Sequence, residues 1–138
     1  NTGLLMSVAM VLGTLFNTAI AQDQNAQTAG KLAGQISASL MQIIKQAEDR
    51  ASQTDAMHEK SATVAISELK RLAEDIYILE RLLRNGKSLD QTLPHYESIA
   101  FRRKNVRFFA EGIEIKESIR KNARATGELL DQLDRIYN

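Results

Sequence analysis

The chain has 138 residues, with 18 Lys and Arg against 17 Asp and Glu, one proline and no cysteine. A net charge near zero excludes an overall field that would steer the chain to nucleic acid or acidic lipid. The missing cysteines exclude disulfides, thiolate metal sites, c-type haem attachment and thiol nucleophiles.

The first element is apolar. Leu4 to Phe16 is an uncharged run of 13 residues, the length of a signal-peptide core and short of the roughly 20 residues a membrane span needs. Ala19-Ile20-Ala21 follows, with small side chains at the two positions a signal peptidase reads, which places a cut between Ala21 and Gln22. Residues 1–21 are therefore expected to be a signal peptide, its basic leading residues lying ahead of Asn1. The alternative is an uncleaved membrane anchor, since nothing from Thr2 to Gln22 is charged. Taking 21 residues from 138 leaves 117, residues 22–138, enough for one domain with a modest core.

Beyond residue 21 the composition is helical throughout, and no run alternates as a strand would. A helix is expected from near Thr28, with Leu32, Ile36, Leu40, Ile43 and Ala47 forming a stripe at spacings of 4, 4, 3 and 4. Residues 48–61 then nearly lack large apolar groups. With neither Gly nor Pro to break the chain, a continuous helix with a polar waist is preferred there over a bend. Leu69, Leu72, Ile76, Leu79 and Leu83 follow at spacings of 3, 4, 3 and 4, a heptad seam. The run ends at Arg84-Asn85-Gly86, where glycine suits the left-handed residue after a helix. Ser88 to Gln91 has capping-box spacing, and a last helix is expected from about Pro94 to about Ile136. The fold class is all-α: a long antiparallel hairpin turning near residues 85–93, or a three-helix bundle with coiled-coil-like packing in which residues 28–50 fold back.

Read as one rod at about 100° per residue, the last helix has two apolar sides. Ile99, Val106, Phe109 and Ile113 share one, while Phe101, Phe108, Ile115 and Ile119 share the other. Ile78 and Leu82 lie similarly off the seam of the preceding helix. A single neighbour covers only one side. Phe101, Phe108, Ile115, Ile119, Ile78 and Leu82 are accordingly the candidate contacts for a further helix of the chain, a protein partner or a second copy. From Ala123 onward Thr126, Leu129, Leu133 and Ile136 restore a regular stripe.

Chemistry is harder to find. Arg102, Arg103, Lys104 and Arg107 form the one dense basic cluster, between Phe101 and Phe108-Phe109. Cations interleaved with aromatics suit nucleic acid, but these phenylalanines fall on packing faces and Glu111 follows at helical spacing. A solvated, ion-paired face is the reading taken, and no nucleic-acid partner is expected. His58 and His95 fit no metal-ligand spacing. With Met41 and Met57 they admit a b-type haem carrier as a remote alternative. No Gly-rich phosphate loop or nucleophile elbow is present, so neither an enzyme nor a cofactor is expected.

An exported chain of long Ala- and Gln-rich helices resembles, in layout, the helical minor subunits of conjugative type IV secretion systems. That resemblance implies a periplasmic or secreted bacterial interaction protein, a subunit or adaptor of a cell-envelope assembly. A membrane-anchored sensory domain is the alternative if residues 2–21 are retained.

Overall fold

A computed structural model describes the backbone over residues 2–52, 56–111 and 117–138, and the side chains over residues 21–52, 62–106 and 117–138. The described residues form four helices and no strand: α1 (Thr2–Ala51), α2 (Ala56–Arg84), α3 (Leu89–Glu111) and α4 (Glu117–Tyr137). The all-α class is thus observed, but as four helices rather than a hairpin or three.

The helices run alternately up and down. Antiparallel α1 and α2 are tied at one end by Lys70 and Glu48, 2.7 Å apart. Towards the other end, a methyl group on Gly30 would sit 3.4 Å from Cβ of Leu83. Small residues at Ala29, Gly30 and Ala33 let the two backbones approach closely there. α3 returns along α2, with Arg102 bonded to Asp75 at 2.6 Å. α4 then lies beside both α1 and α3, held by a Ser39–Thr126 hydrogen bond on one side and an Arg103–Asp131 pair on the other.

The sequence stripes become the core. Leu32, Ile36, Leu40 and Ile43 of α1 are buried, as are Leu72, Ile76, Leu79 and Leu83 of α2. Ile99 and Tyr96 of α3 and Ile119, Leu130 and Leu133 of α4 are buried with them. Full burial of each large side chain contributes roughly 1.5–3 kcal/mol, the driving force for closing the fourth helix onto the other three.

The turn between α2 and α3 follows the residues closely. Gly86 has φ +85°, Lys87 N–H donates to the Leu82 carbonyl at 3.0 Å, and Gly86 N–H donates to that of Leu83 at 3.1 Å. This is the Schellman pair of bonds, which satisfies the last carbonyls of α2. Ser88 and Gln91 form a reciprocal capping box, Gln91 N–H to Ser88 Oγ at 3.1 Å and Ser88 N–H to Gln91 Oε1 at 3.0 Å.

Four sequence expectations change. α1 is helical from Thr2, not from near Thr28, because nothing between Ala21 and Thr28 breaks a helix. α1 ends at Ala51 and the antiparallel α2 begins at Ala56, two helices in place of one continuous helix; Ser52 Oγ donates to the Asp49 carbonyl and caps the end of α1. α3 begins at Leu89, five residues before Pro94, which lies inside the helix and leaves the carbonyl of exposed Asp90 to water. The single last helix is two. α4 runs antiparallel to α3, so Tyr137 comes back to Thr92 in a 2.7 Å hydrogen bond, where a single helix from Pro94 to Ile136 would hold the two far apart.

Candidate interaction surface

Phe101 and Ile78 owe their positions to the core residues two places before each. Ile99 and Ile76 are buried, and a step of two residues turns about 200° around a helix, to the far side. Phe101 is 69% exposed and Ile78 39% exposed. Leu82, a third of a turn from the seam, is half-buried. The Arg102–Asp75 bond sets the two helices side by side at this level, so Phe101 and Ile78 belong to the same outer side of the α2–α3 pair. Leu93 adds a further exposed apolar group on α3.

Ile119 is not part of this surface. It lies on α4, 8% exposed, in the buried stripe that continues through Thr126, Leu130 and Leu133. The division into α3 and α4 removes the rod on which Phe101 and Ile119 would have shared one side. Phe108 and Ile115 lie outside the described side chains, as do Phe109, Ile113, Arg107, Met57 and His58.

Of the basic cluster, two members are clamps between helices. Arg102 reaches Asp75 and lies 3.9 Å from Glu68 on α2. Arg103, 18% exposed, donates to the Gly127 carbonyl at 3.1 Å and pairs with Asp131 at 2.8 Å on α4. Lys104 is exposed. Cations committed to carboxylates in this way are poor phosphate ligands. His95 is exposed, and no group of three His, Asp or Glu residues able to hold a metal ion occurs among the described residues.

A polar network at the end of the bundle shows no isolated signature in the sequence. Thr92, fully buried, donates to the Ser88 carbonyl and accepts from the Tyr137 hydroxyl. Tyr137 stacks on Tyr96 with ring centres 4.3 Å apart, and the Asn138 amide donates to the Tyr96 hydroxyl at 3.3 Å. Burial pushes the Tyr137 phenol above its ordinary pKa, partly offset by the Thr92 hydrogen bond. The signal was available: once Ser88 is taken as a helix cap, Thr92, Tyr96, Ile99 and Arg103 fall at spacings of 4, 3 and 4 on one face.

Among the described residues, no helix is long and apolar enough to cross a membrane. Comparison with protein-family models, curated proteins and solved structures finds no match to this chain.

Proposed function

We propose that the chain is an α-helical interaction subunit or adaptor of a cell-envelope assembly, such as a type IV secretion or conjugation apparatus. It is delivered by its apolar N-terminal segment and works through the outside of its bundle. The observation that carries this reading is Phe101, more than two-thirds exposed on the outer side of the α2–α3 pair. An aromatic held in water forfeits roughly 1.5–3 kcal/mol of burial, and rigid exposed aromatics are what interfaces recruit as anchors. The uncharged run from Leu4 to Phe16 and the small residues at Ala19 and Ala21 support export.

A specific observation also favours a second reading. α1 is one unbroken helix from Thr2 to Ala51, about 75 Å at 1.5 Å per residue, against 29 residues in α2. Asn138 lies at the end of the bundle from which α1 projects, beside Tyr96 and the α2–α3 turn. A bundle held at a membrane by residues 2–21, with this end nearest the bilayer, has the same layout, as a membrane-anchored sensory domain would.

One experiment addresses both. The protein, with a photo-crosslinking amino acid in place of Phe101, is produced in a Gram-negative host, fractionated and sequenced from its N-terminus. A start at Gln22 in the periplasmic fraction with a defined protein adduct at position 101 is the expected result. Retention of Leu4–Phe16 in the membrane fraction favours the anchored form. Recovery in the cytoplasm, or no adduct at position 101, overturns the proposal.

A further inference from the structure

The α1–α2 side of the bundle, away from Phe101, carries a shallow groove of about 610 Å³. Its floor is Ile44 and Ala73, both buried, and its apolar walls are Met41 at 61% and Tyr77 at 51% exposure. Ala73 leaves the hollow because its side chain stops at Cβ. Four charges rim it: Lys45 and Glu48 from α1, Lys70 and Glu74 from α2. Lys70 and Glu48 pair across the groove, whereas Lys45 and Glu74 make no ion pair among the described residues.

The heights of these groups along the bundle decide what fits. The Glu48–Lys70 pair fixes the register of the two antiparallel helices, and counting back one turn sets Lys45 level with Glu74. One turn further, Met41 is level with Tyr77. Each level therefore carries complementary groups on its two sides: acid against base, base against acid, and thioether against aromatic ring. A two-fold axis parallel to the bundle, lying in the plane of this face, brings α1 of one copy over α2 of the other at the same height. Such an isologous contact demands a patch that complements itself, and this patch does so at three successive levels.

We propose that a second copy of this chain docks on the α1–α2 groove about that axis. Lys45 of each copy faces Glu74 of the partner subunit, Glu48 faces Lys70 of the partner subunit, and Met41 packs on the ring of Tyr77 of the partner subunit. Sulfur against an aromatic ring is a favourable contact, and Lys45 and Glu74, without an ion pair among the described residues, acquire partners. Both copies point their α1 extensions in the same direction. The dimer leaves the Phe101 side free, so it stands or falls separately from the function proposed above.

Because the chain has no cysteine, crosslinking reads this geometry directly. Met41→Cys and Tyr77→Cys chains, purified separately and mixed under oxidising conditions, are expected to form a disulfide-linked heterodimer. A Met41→Cys chain mixed with a Val64→Cys chain is expected to form far less. In sedimentation velocity the purified protein is expected to dimerise. Lys45→Glu and Glu74→Lys should each weaken the dimer by about tenfold, the scale of a like-charge contact introduced at an interface, and the doubly exchanged chain should regain it. Circular dichroism verifies that each exchange leaves the helices intact. A protein that stays monomeric at every concentration, a dimer indifferent to Lys45→Glu, or equal crosslinking at Val64 overturns the proposal.

Discussion

The α1–α2 seam and the docking of α4 are built from different chemistry. Between α1 and α2 the buried groups are Ile36, Leu40, Leu72, Ile76 and Leu79, with no polar side chain among them. α4 buries Ile119, Leu130 and Leu133 but places Thr126 in the same stripe. Its flanks are tied by Ser39 to Thr126, Gln46 to Asn122, and Arg103 to Gly127 and Asp131. Apolar contact is indifferent to small sliding, whereas a hydrogen bond is lost by it. The dry seam thus supplies most of the stability, and the polar one sets where along the bundle α4 stops. Similar division of labour is documented for buried polar groups in other helical assemblies.

The largest effect expected from this comparison is on the dry side. Leu79 is fully buried in the core, so Leu79→Ala should lose about 2–5 kcal/mol in urea unfolding, transfer and cavity costs together. A loss no greater than that of an exposed leucine would mean that the seam is not packed as described.

Breaking the polar side should cost less and behave differently. Thr126 donates to the Asn122 carbonyl at 2.8 Å, so the hydrogen bond with Ser39 is donated by the serine. Thr126→Val keeps the shape but leaves that serine proton without an acceptor, at a cost of about 1–2 kcal/mol. Adding Ser39→Ala removes the orphaned donor, and the double variant should recover part of the loss. Additive losses in that cycle would show that the two hydroxyls do not work as a pair.

The same contrast explains what could be read in advance. The α2 seam was legible because leucine and isoleucine at spacings of 3 and 4 serve one purpose. The α2–α3 turn was legible because Gly86 and the Ser88–Gln91 box satisfy backbone groups locally. Docking of α4 was not, because Asn122 and Arg103 read as ordinary surface residues until their partners are known, and Thr126, though in the stripe, does not announce Ser39 as its partner. The break between α1 and α2 offered only polar composition, with Ser52 bonding back onto Asp49 as its local device. The division of the last rod into α3 and α4 was missed because the apolar periodicity is strong on either side of it. That misreading put Ile119 on one side of a rod with Phe101. The exposure of Phe101 and Ile78 is independent of it, set by the helix turn between each and its buried neighbour.

The smallest effect separates the α4 tie at the bundle end from the rest by pH. Tyr137 has a raised pKa in the folded chain, chiefly through burial, so the unfolded chain gives up this proton first. Stability from the neutral phenol is complete below the unfolded value of about 10 and declines as pH rises from there toward the folded value. Tyr137→Phe cannot ionise, and it leaves Thr92 still donating to the Ser88 carbonyl at 2.9 Å. Its neutral-pH stability should therefore fall only slightly, while its melting temperature should decline less steeply than the parent's between pH 9.5 and pH 11 on the tyrosine scale. Other tyrosines and the lysines titrate in the same range in both proteins, so the difference between the two curves isolates this phenol. Parallel curves would mean that Tyr137 is as well solvated folded as unfolded. The stacked Tyr96–Tyr137 pair would then not close the bundle end, and α4 would be held by Arg103 and the Ser39–Thr126 bond alone.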